Sequence, residues 1–344
     1  MAPFALIYGL GVSLRNMLYS MGILKEISFN VPVISVGNLS MGGTGKTPHV
    51  EYLIKWLSAY LEVVALSRGY KRKTKGFLPV LAKSTVDEVG DEPLQYKIKF
   101  PDSGIYVDEN RELGIPKILA QQPNAQLVVL DDAFQHRSVK PGLNILLTDR
   151  SNLFTEDYLL PMGRLREWRS AYKRADIIVV TKCGFDFSTS EMRKVIDRIK
   201  PTSKQNVYFT RYEYKNLYHL LYPEIEVRLQ PNMHALIVSA IANAEYLLGY
   251  VDSIVSSVRA LEYEDHHDFT SHEIAQLKAQ FDLIDEENKV IITTEKDAMR
   301  MQKHTDFLRE NQMPVFVLPA YVSFVQDEQS FQQRVKSFLL EFKS

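Results

Sequence analysis

Residues 31–60 read VPVISVGNLSMGGTGKTPHVEYLIKWLSAY. The run Val31 to Val36 has the β-branched composition of a short strand, a glycine-rich turn follows, and the segment from Pro48 to about Tyr60 is compatible with a helix. Strand, loop and helix in that order is what a phosphate-binding unit requires. Within the turn, residues 40–47 read SMGGTGKT, to be set against the phosphate-loop pattern G-x-x-x-x-G-K-[ST]. Gly45, Lys46 and Thr47 match, while Ser40 stands where the first glycine is expected. Gly42 and Gly43 let the backbone turn tightly, so that N–H groups along Met41, Gly42, Gly43, Thr44 and Gly45 can converge on phosphate oxygens at a helix N-terminus. Lys46 is then expected at the β- and γ-phosphates of ATP and the Thr47 hydroxyl on Mg²⁺. A merely flexible turn before a helix would leave both the Lys-Thr pair and the preceding strand unexplained.

Working outward, further apolar runs stand at Val63 to Leu66, Leu127 to Leu130, Asn144 to Leu147 and Ile177 to Val180, separated by polar or helical stretches. Runs of this kind suit strands buried on both faces of a parallel sheet, so the expected fold class is α/β, with a phosphate-loop NTPase-type sheet flanked by helices. The run at 127–130 delivers Asp131 and Asp132 at its C-terminal end, the edge where parallel α/β sheets bind ligands. Adjacent carboxylates repel unless a cation lies near, so Asp131 and Asp132 are expected, with Thr47, to hold Mg²⁺.

A second set of extended segments begins near Val207 and continues through Glu226 to Leu229, Ala235 to Ser239, Val290 to Thr293 and Val315 to Leu318. The expected organisation is an N-terminal helix (1–26), a phosphate-loop core (27–205) and a smaller α/β domain (206–344) whose C-terminal helix can pack back on the core. In the first 24 residues, Ile7, Leu10, Leu14, Met17, Leu18 and Met21 share one helical face and Asn16 and Ser20 oppose them. Such a stripe suits either a helix packed on its own domain or one lying in a membrane interface; without a basic leader or an unbroken apolar run it suits neither a signal peptide nor a spanning helix. The formal net charge of -1 gives no basic field for nucleic acid, and the single cysteine, Cys183, cannot form an internal disulfide.

Seven segments then converge on one family. GNLSMGGTGKTP (37–48), SRGYKRKTKG (67–76), GDEP (90–93), LDDAFQH (130–136), LLPMGRLRE (159–167), DHHDF (265–269) and TTEKDA (293–298) together resemble the tetraacyldisaccharide 4'-kinases, the lipid A 4'-kinases. The resemblance implies transfer of the ATP γ-phosphate to the 4'-hydroxyl of a tetraacyl disaccharide 1-phosphate at the cytoplasmic leaflet of a Gram-negative inner membrane, with no protein partner required. It also favours the interfacial reading of the N-terminal helix, because an acylated disaccharide stays in the bilayer. Ser40 agrees with the family, whereas Ala133, where glycine is usual, and the segment IVSAIANAEYL (237–247) depart from it. A switch ATPase docked on a membrane or a protein partner is the rival; it usually carries a lysine at the position of Met41.

The resemblance further implies a base-like role for Asp91 in GDEP, with His266 of DHHDF as its hydrogen-bonded companion, so that the smaller domain (206–344) completes the acceptor site of a kinase core (27–205); Glu92 is grouped with the acceptor contacts. Gln135 and His136 follow the aspartate pair and are expected near the site. Arg68, Arg111 and Arg164 are expected on substrate or nucleotide phosphate, because a guanidinium fork pairs bidentately with phosphate oxygens.

Overall fold

A computed structural model describes residues 1–342. Its strands are β1 (Val33–Asn38), β2 (Val63–Ser67), β3 (Leu78–Pro79), β4 (Gly104–Val107), β5 (Leu127–Asp131), β6 (Leu143–Asp149), β7 (Ile177–Thr181), β8 (Asn206–Tyr214), β9 (Leu217–His219), β10 (Glu226–Val227), β11 (His234–Ser239), β12 (Ser257–Glu262), β13 (Lys289–Thr294), β14 (Val315–Leu318) and β15 (Ala320–Phe324). Every residue of β1, β2, β5 and β7 is buried, the result expected of apolar runs without alternation that are covered on both faces.

Nine strands form one sheet in the order β15-β8-β7-β6-β1-β5-β2-β4-β3. All neighbours from β8 to β4 are parallel, and β15 and β3 close the two edges antiparallel. The register places Val36 opposite Asp131, so the loop leaving β1 and the aspartate pair leaving β5 emerge side by side. The second sheet has six strands in the order β10-β9-β14-β13-β11-β12.

Segment 206–344 contributes to both sheets. β8 pairs with β7, and β15 returns to pair with β8, so the chain changes sheet between Tyr214 and Leu217 and again between Leu318 and Ala320, later than the boundary expected from sequence. The physical reason is that Val207 to Phe209 continues the apolar pattern of the first sheet and no linker composition marks the departure. The C-terminal helix Glu328–Glu341 buries Phe331, Val335 and Phe338 in the same cluster as Val50, Leu53 and Ile54 of the helix Lys46–Leu57.

The N-terminal helix Ala2–Ser20 docks through its small and polar residues. Ala5 and Gly9 are buried, Trp168 Nε1 donates to Gly9 O at 3.1 Å, Tyr8 Oη donates to Arg166 O at 2.8 Å, and Asn16 Nδ2 donates to Glu167 Oε2 at 2.8 Å. The apolar stripe faces away from the protein: Ile7 is 67% exposed, Leu10 69% and Leu14 54%. No helix among the described residues is long and apolar enough to cross a membrane.

Candidate active site

A cavity of about 760 Å³ lies between the phosphate loop and the six-stranded sheet, within the size range of nucleotide and cofactor pockets. Gly42 and Gly45 adopt φ of +104° and +86°, conformations that only glycine takes without strain, and they shape the loop against the cavity. Gly37 is needed for another reason: a Cβ there would stand 2.7 Å from Phe134 Cβ and push the aspartate-bearing turn away. Asn38 Nδ2 donates to Thr44 Oγ1 at 2.6 Å and Thr181 Oγ1 donates to Thr44 O at 3.0 Å, fixing the middle of the loop. Its far end is fixed by His49, whose Nδ1 lies 2.7 Å from Gly45 O and whose Nε2 lies 3.0 Å from Thr210 Oγ1 on β8. Burial pushes the imidazole of His49 down to about 4 despite its bond to Gly45, so it is neutral here at physiological pH.

Lys46 Nζ sits 3.7 Å from Asp132 Oδ2, and Arg166 reaches the same carboxylate, with Nη2 at 2.8 Å from Oδ1. Burial would raise Asp132, but Lys46 and Arg166 outweigh it and hold the carboxyl below its usual range. Asp131 behaves oppositely: burial, then the nearby charges of Glu92 and Asp132, push it up to about 7. Ser67 Oγ donates to Asp131 Oδ2 at 3.1 Å, while the buried Oδ1 has no partner. An orphaned carboxylate oxygen beside other acids fits a cation. Among the described residues no group of three or more His, Cys, Asp or Glu is placed to hold a metal alone, so phosphate oxygens and water would have to complete the shell, as Mg²⁺ prefers.

The opposite wall carries Asp91, at the start of the helix Asp91–Lys99, and residues from the second sheet. His266 Nδ1 lies 2.9 Å from Asp91 Oδ2, and Arg300 Nη1 donates to that same oxygen. Asp91 Oδ1 accepts from Glu92 N at 2.9 Å. Burial would raise Asp91, but the bond from His266 and the charges of Lys296 and Arg300 prevail and hold it below the carboxylate range. Lys296 Nζ lies 2.9 Å from His266 Nε2 and 3.2 Å from Glu92 Oε1. An ammonium can only donate, so His266 Nε2 is the acceptor and Nδ1 carries the proton given to Asp91. Burial would lower Lys296, yet Glu92, Asp91 and Asp265 outweigh it and keep it charged. His266 and Asp132 both have positive φ, +58° and +45°, a strain on the order of 1–3 kcal/mol each that tends to gather at functional sites.

Of the residues expected from sequence, Met41 to Thr47, Asp132, Glu92, His266, Arg68, Arg111, Gln135 and His136 line this cavity, and Asp131 and Asp91 stand directly behind it. Arg111 is buried and donates to Asp131 O at 3.2 Å. Gln135 Nε2 donates to Asn38 O at 2.9 Å, and His136 Nε2 lies 2.7 Å from Glu112 Oε2, with burial lowering its basicity. Arg164 falls elsewhere: its Nε donates to Asp157 Oδ2 at 3.0 Å and its Nη2 to Asn152 Oδ1 at 2.5 Å, so the guanidinium is spent closing the loop from 157 to 164. Arg166, two residues on, lines the cavity instead and pairs with Asp132. Lys296 and Arg300 also escape a residue-by-residue reading, although Lys296 stands inside the TTEKDA segment.

A cradle of this kind, facing a histidine-aspartate pair across one cavity, defines a phosphate-loop kinase dependent on ATP. Residues 1–340 match the model of the tetraacyldisaccharide-1-P 4'-kinase family, LpxK, and the chain belongs to that family. It is 43% identical to the tetraacyldisaccharide 4'-kinase of Phocaeicola vulgatus, over 95% of this chain and 91% of that protein. It is 41% identical to that of Bacteroides thetaiotaomicron, over 98% and 92%. Among solved structures it resembles LpxK from Aquifex aeolicus, crystallised in complex with ATP, with a TM-score of 0.74, 29% identity and 98% of both chains covered.

Proposed function

We propose that this chain binds ATP on the phosphate loop and transfers its γ-phosphate to the 4'-hydroxyl of a tetraacyl disaccharide 1-phosphate in lipid A biosynthesis. The observation that carries this reading, beside family membership, is that Lys46, Thr47 and His266 line one cavity of about 760 Å³. Phosphoryl transfer asks little covalent chemistry of a protein, so positioning and charge neutralisation are the main tasks. Thr47 and the orphaned oxygen of Asp131 would hold Mg²⁺, which supplies neutralisation of the phosphate charge when bound. Lys46, released from Asp132, reaches the phosphates, and Arg166 keeps Asp132 from following it.

The Asp91–His266 pair takes the acceptor's proton. His266 is the member facing the cavity, whereas both oxygens of Asp91 already accept hydrogen bonds. This supports a refinement of the expected division of labour: His266 Nε2 receives the proton, and Asp91 fixes the ring's tautomer and stabilises its charged form.

In the proposed organisation the nine-stranded sheet binds nucleotide, the six-stranded sheet completes the acceptor side, and the N-terminal helix seats the enzyme on the cytoplasmic leaflet of the inner membrane. The outward stripe of Ile7, Leu10 and Leu14 supports that seating, and Tyr8 and Arg15 of the same helix line the cavity, giving a sugar head a path from the bilayer plane to the base. The test is incubation with γ-labelled ATP, Mg²⁺ and the disaccharide in detergent. Label should move to lipid; ATP turnover indifferent to the acceptor would overturn the reading.

A further inference from the structure

The helix Glu295–Met301 starts where β13 ends, and its first residues are held firmly. Glu295 accepts from Lys99 Nζ at 2.7 Å and from Ala320 N at 3.3 Å, and Lys99 also bonds Glu51 of the phosphate-loop helix at 2.7 Å. Asp297 accepts from Thr294 Oγ1 at 2.6 Å. Between these two anchored residues Lys296 extends into the cavity, where Nζ meets Glu92 Oε1 and His266 Nε2. Glu92 Oε1 is also the oxygen that accepts from Thr47 Oγ1 at 3.3 Å. One carboxylate oxygen therefore joins an ammonium of the second sheet to the hydroxyl of the phosphate loop.

The two partners of Lys296 within hydrogen-bond distance have other uses once the substrates arrive. Glu92, whose Oε1 already meets the Thr47 hydroxyl, would neutralise Lys296 less if it also served a cation held at Thr47. His266 Nε2 cannot accept a proton from the sugar hydroxyl while an ammonium donates to it. An ammonium that loses these two contacts keeps only the partly exposed Asp265, whose Oδ1 lies 3.9 Å away, and the γ-phosphoryl oxygens of a nucleotide on the loop would offer it a closer anion in the same cavity. The backbone on either side is pinned through Glu295 and Asp297, so the movement required is of one flexible side chain.

We propose that Lys296 is a catalytic residue: without nucleotide its ammonium caps His266 Nε2 and Glu92, and when ATP binds it moves to the γ-phosphoryl oxygens. The six-stranded sheet thereby supplies a second phosphate lysine opposite Lys46, and the base nitrogen is uncovered only when there is a phosphoryl group to transfer. This inference rests on the kinase reading.

The test is equilibrium binding of ATP and of ADP, each with Mg²⁺, to the wild-type chain and to Lys296→Met, Lys296→Arg and Lys46→Met. If Lys296 meets the γ-phosphate, Lys296→Met weakens ATP by about 10-fold or more and ADP by less than about 2-fold, the range expected for one charge-assisted contact. Lys296→Arg, which keeps the charge, retains most of the preference for ATP, and Lys46→Met weakens both nucleotides. Equal losses for ATP and ADP in Lys296→Met, or an unchanged preference for ATP, overturn the inference. If the methionine variant melts early, Lys296→Gln is read by the same ATP-to-ADP ratio. A wild-type chain that binds neither nucleotide would instead overturn the kinase reading.

Discussion

His266 Nδ1 lies 2.9 Å from Asp91 Oδ2, although 175 positions separate the two residues and they hang from different sheets. The bond exists only while the two sheets are held face to face, and Lys303 helps to hold them, bonding Asp87 at 2.8 Å and Asp268 at 2.9 Å on opposite sides of the seam. If this pair is the base, as proposed, its chemistry is tied to the relation between the sheets, while the phosphate loop belongs to one of them.

Asp91→Asn should lower turnover by about 100-fold or more and leave ATP affinity within about 3-fold, because the pair acts on the acceptor. His266→Ala should act in the same direction, and the double variant should be no slower than the worse single one, since an orienting partner has nothing left to orient. Steady-state kinetics with nucleotide binding measured in parallel check this; a double variant slower by the product of the two effects, or a large loss of ATP affinity in Asp91→Asn, would contradict it.

Lys46→Ala should lower turnover by about 100-fold or more, because its charge is worth most where negative charge shifts in the transition state. Labelled lipid appearing at near wild-type rate would remove the phosphate loop from the chemistry.

Asp131→Asn should have opposite effects on function and stability. The folded carboxyl is pushed up to about 7, so between roughly pH 4, its unfolded value, and pH 7 the native protein keeps a proton that the unfolded chain has lost. Stability from this group is therefore greatest at the acid end of that window and falls as pH rises through it. In Asp131→Asn that fall should disappear, leaving the nucleotide-free variant more stable than wild type at pH 8 relative to pH 5, while Mg²⁺-dependent turnover collapses. Denaturant unfolding at the two pH values, paired with activity against Mg²⁺ concentration, measures both.

How far these features are legible from sequence follows from how local their causes are. The phosphate loop, β1 and the Asp131–Asp132 turn are visible because each is a short contiguous pattern. β15 and the return of the chain to the first sheet are not, because Ala320 to Phe324 becomes a strand only by pairing with β8, over a hundred residues earlier. Arg164 and Arg166 show the same limit within one segment. Both are arginines in a matched motif, and only the closure of the loop through Asp157 decides which of them reaches the aspartate pair.

Arg166→Ala should accordingly reduce turnover by about 10-fold or more, since it frees Asp132 to pair permanently with Lys46. Arg164→Ala should change it by less than about 3-fold, as expected of an exposed ion pair. Initial rates of the two purified variants decide, and the reverse ranking would contradict the role given to Arg166.

Ile7→Gln, Leu10→Gln and Leu14→Gln combined should abolish sedimentation with anionic vesicles and leave the circular dichroism spectrum unchanged, because the docking contacts of the helix run through Tyr8, Gly9, Asn16 and Trp168. Vesicle binding unchanged in this variant, or absent in wild type, would contradict the interfacial role proposed for the helix.

The antiparallel pairing of β8 with β15 makes the six-stranded sheet an insertion whose exit and return lie on neighbouring strands. As a ribosome delivers the chain, β8 is a bare sheet edge until residue 324 has emerged, and the apolar face later covered by Phe331, Val335 and Phe338 stays open longer still. Unpaired edges and late, distant pairings are where growing chains aggregate. A stop codon anywhere between Leu217 and Phe324 would therefore yield an adhesive product instead of a smaller working kinase.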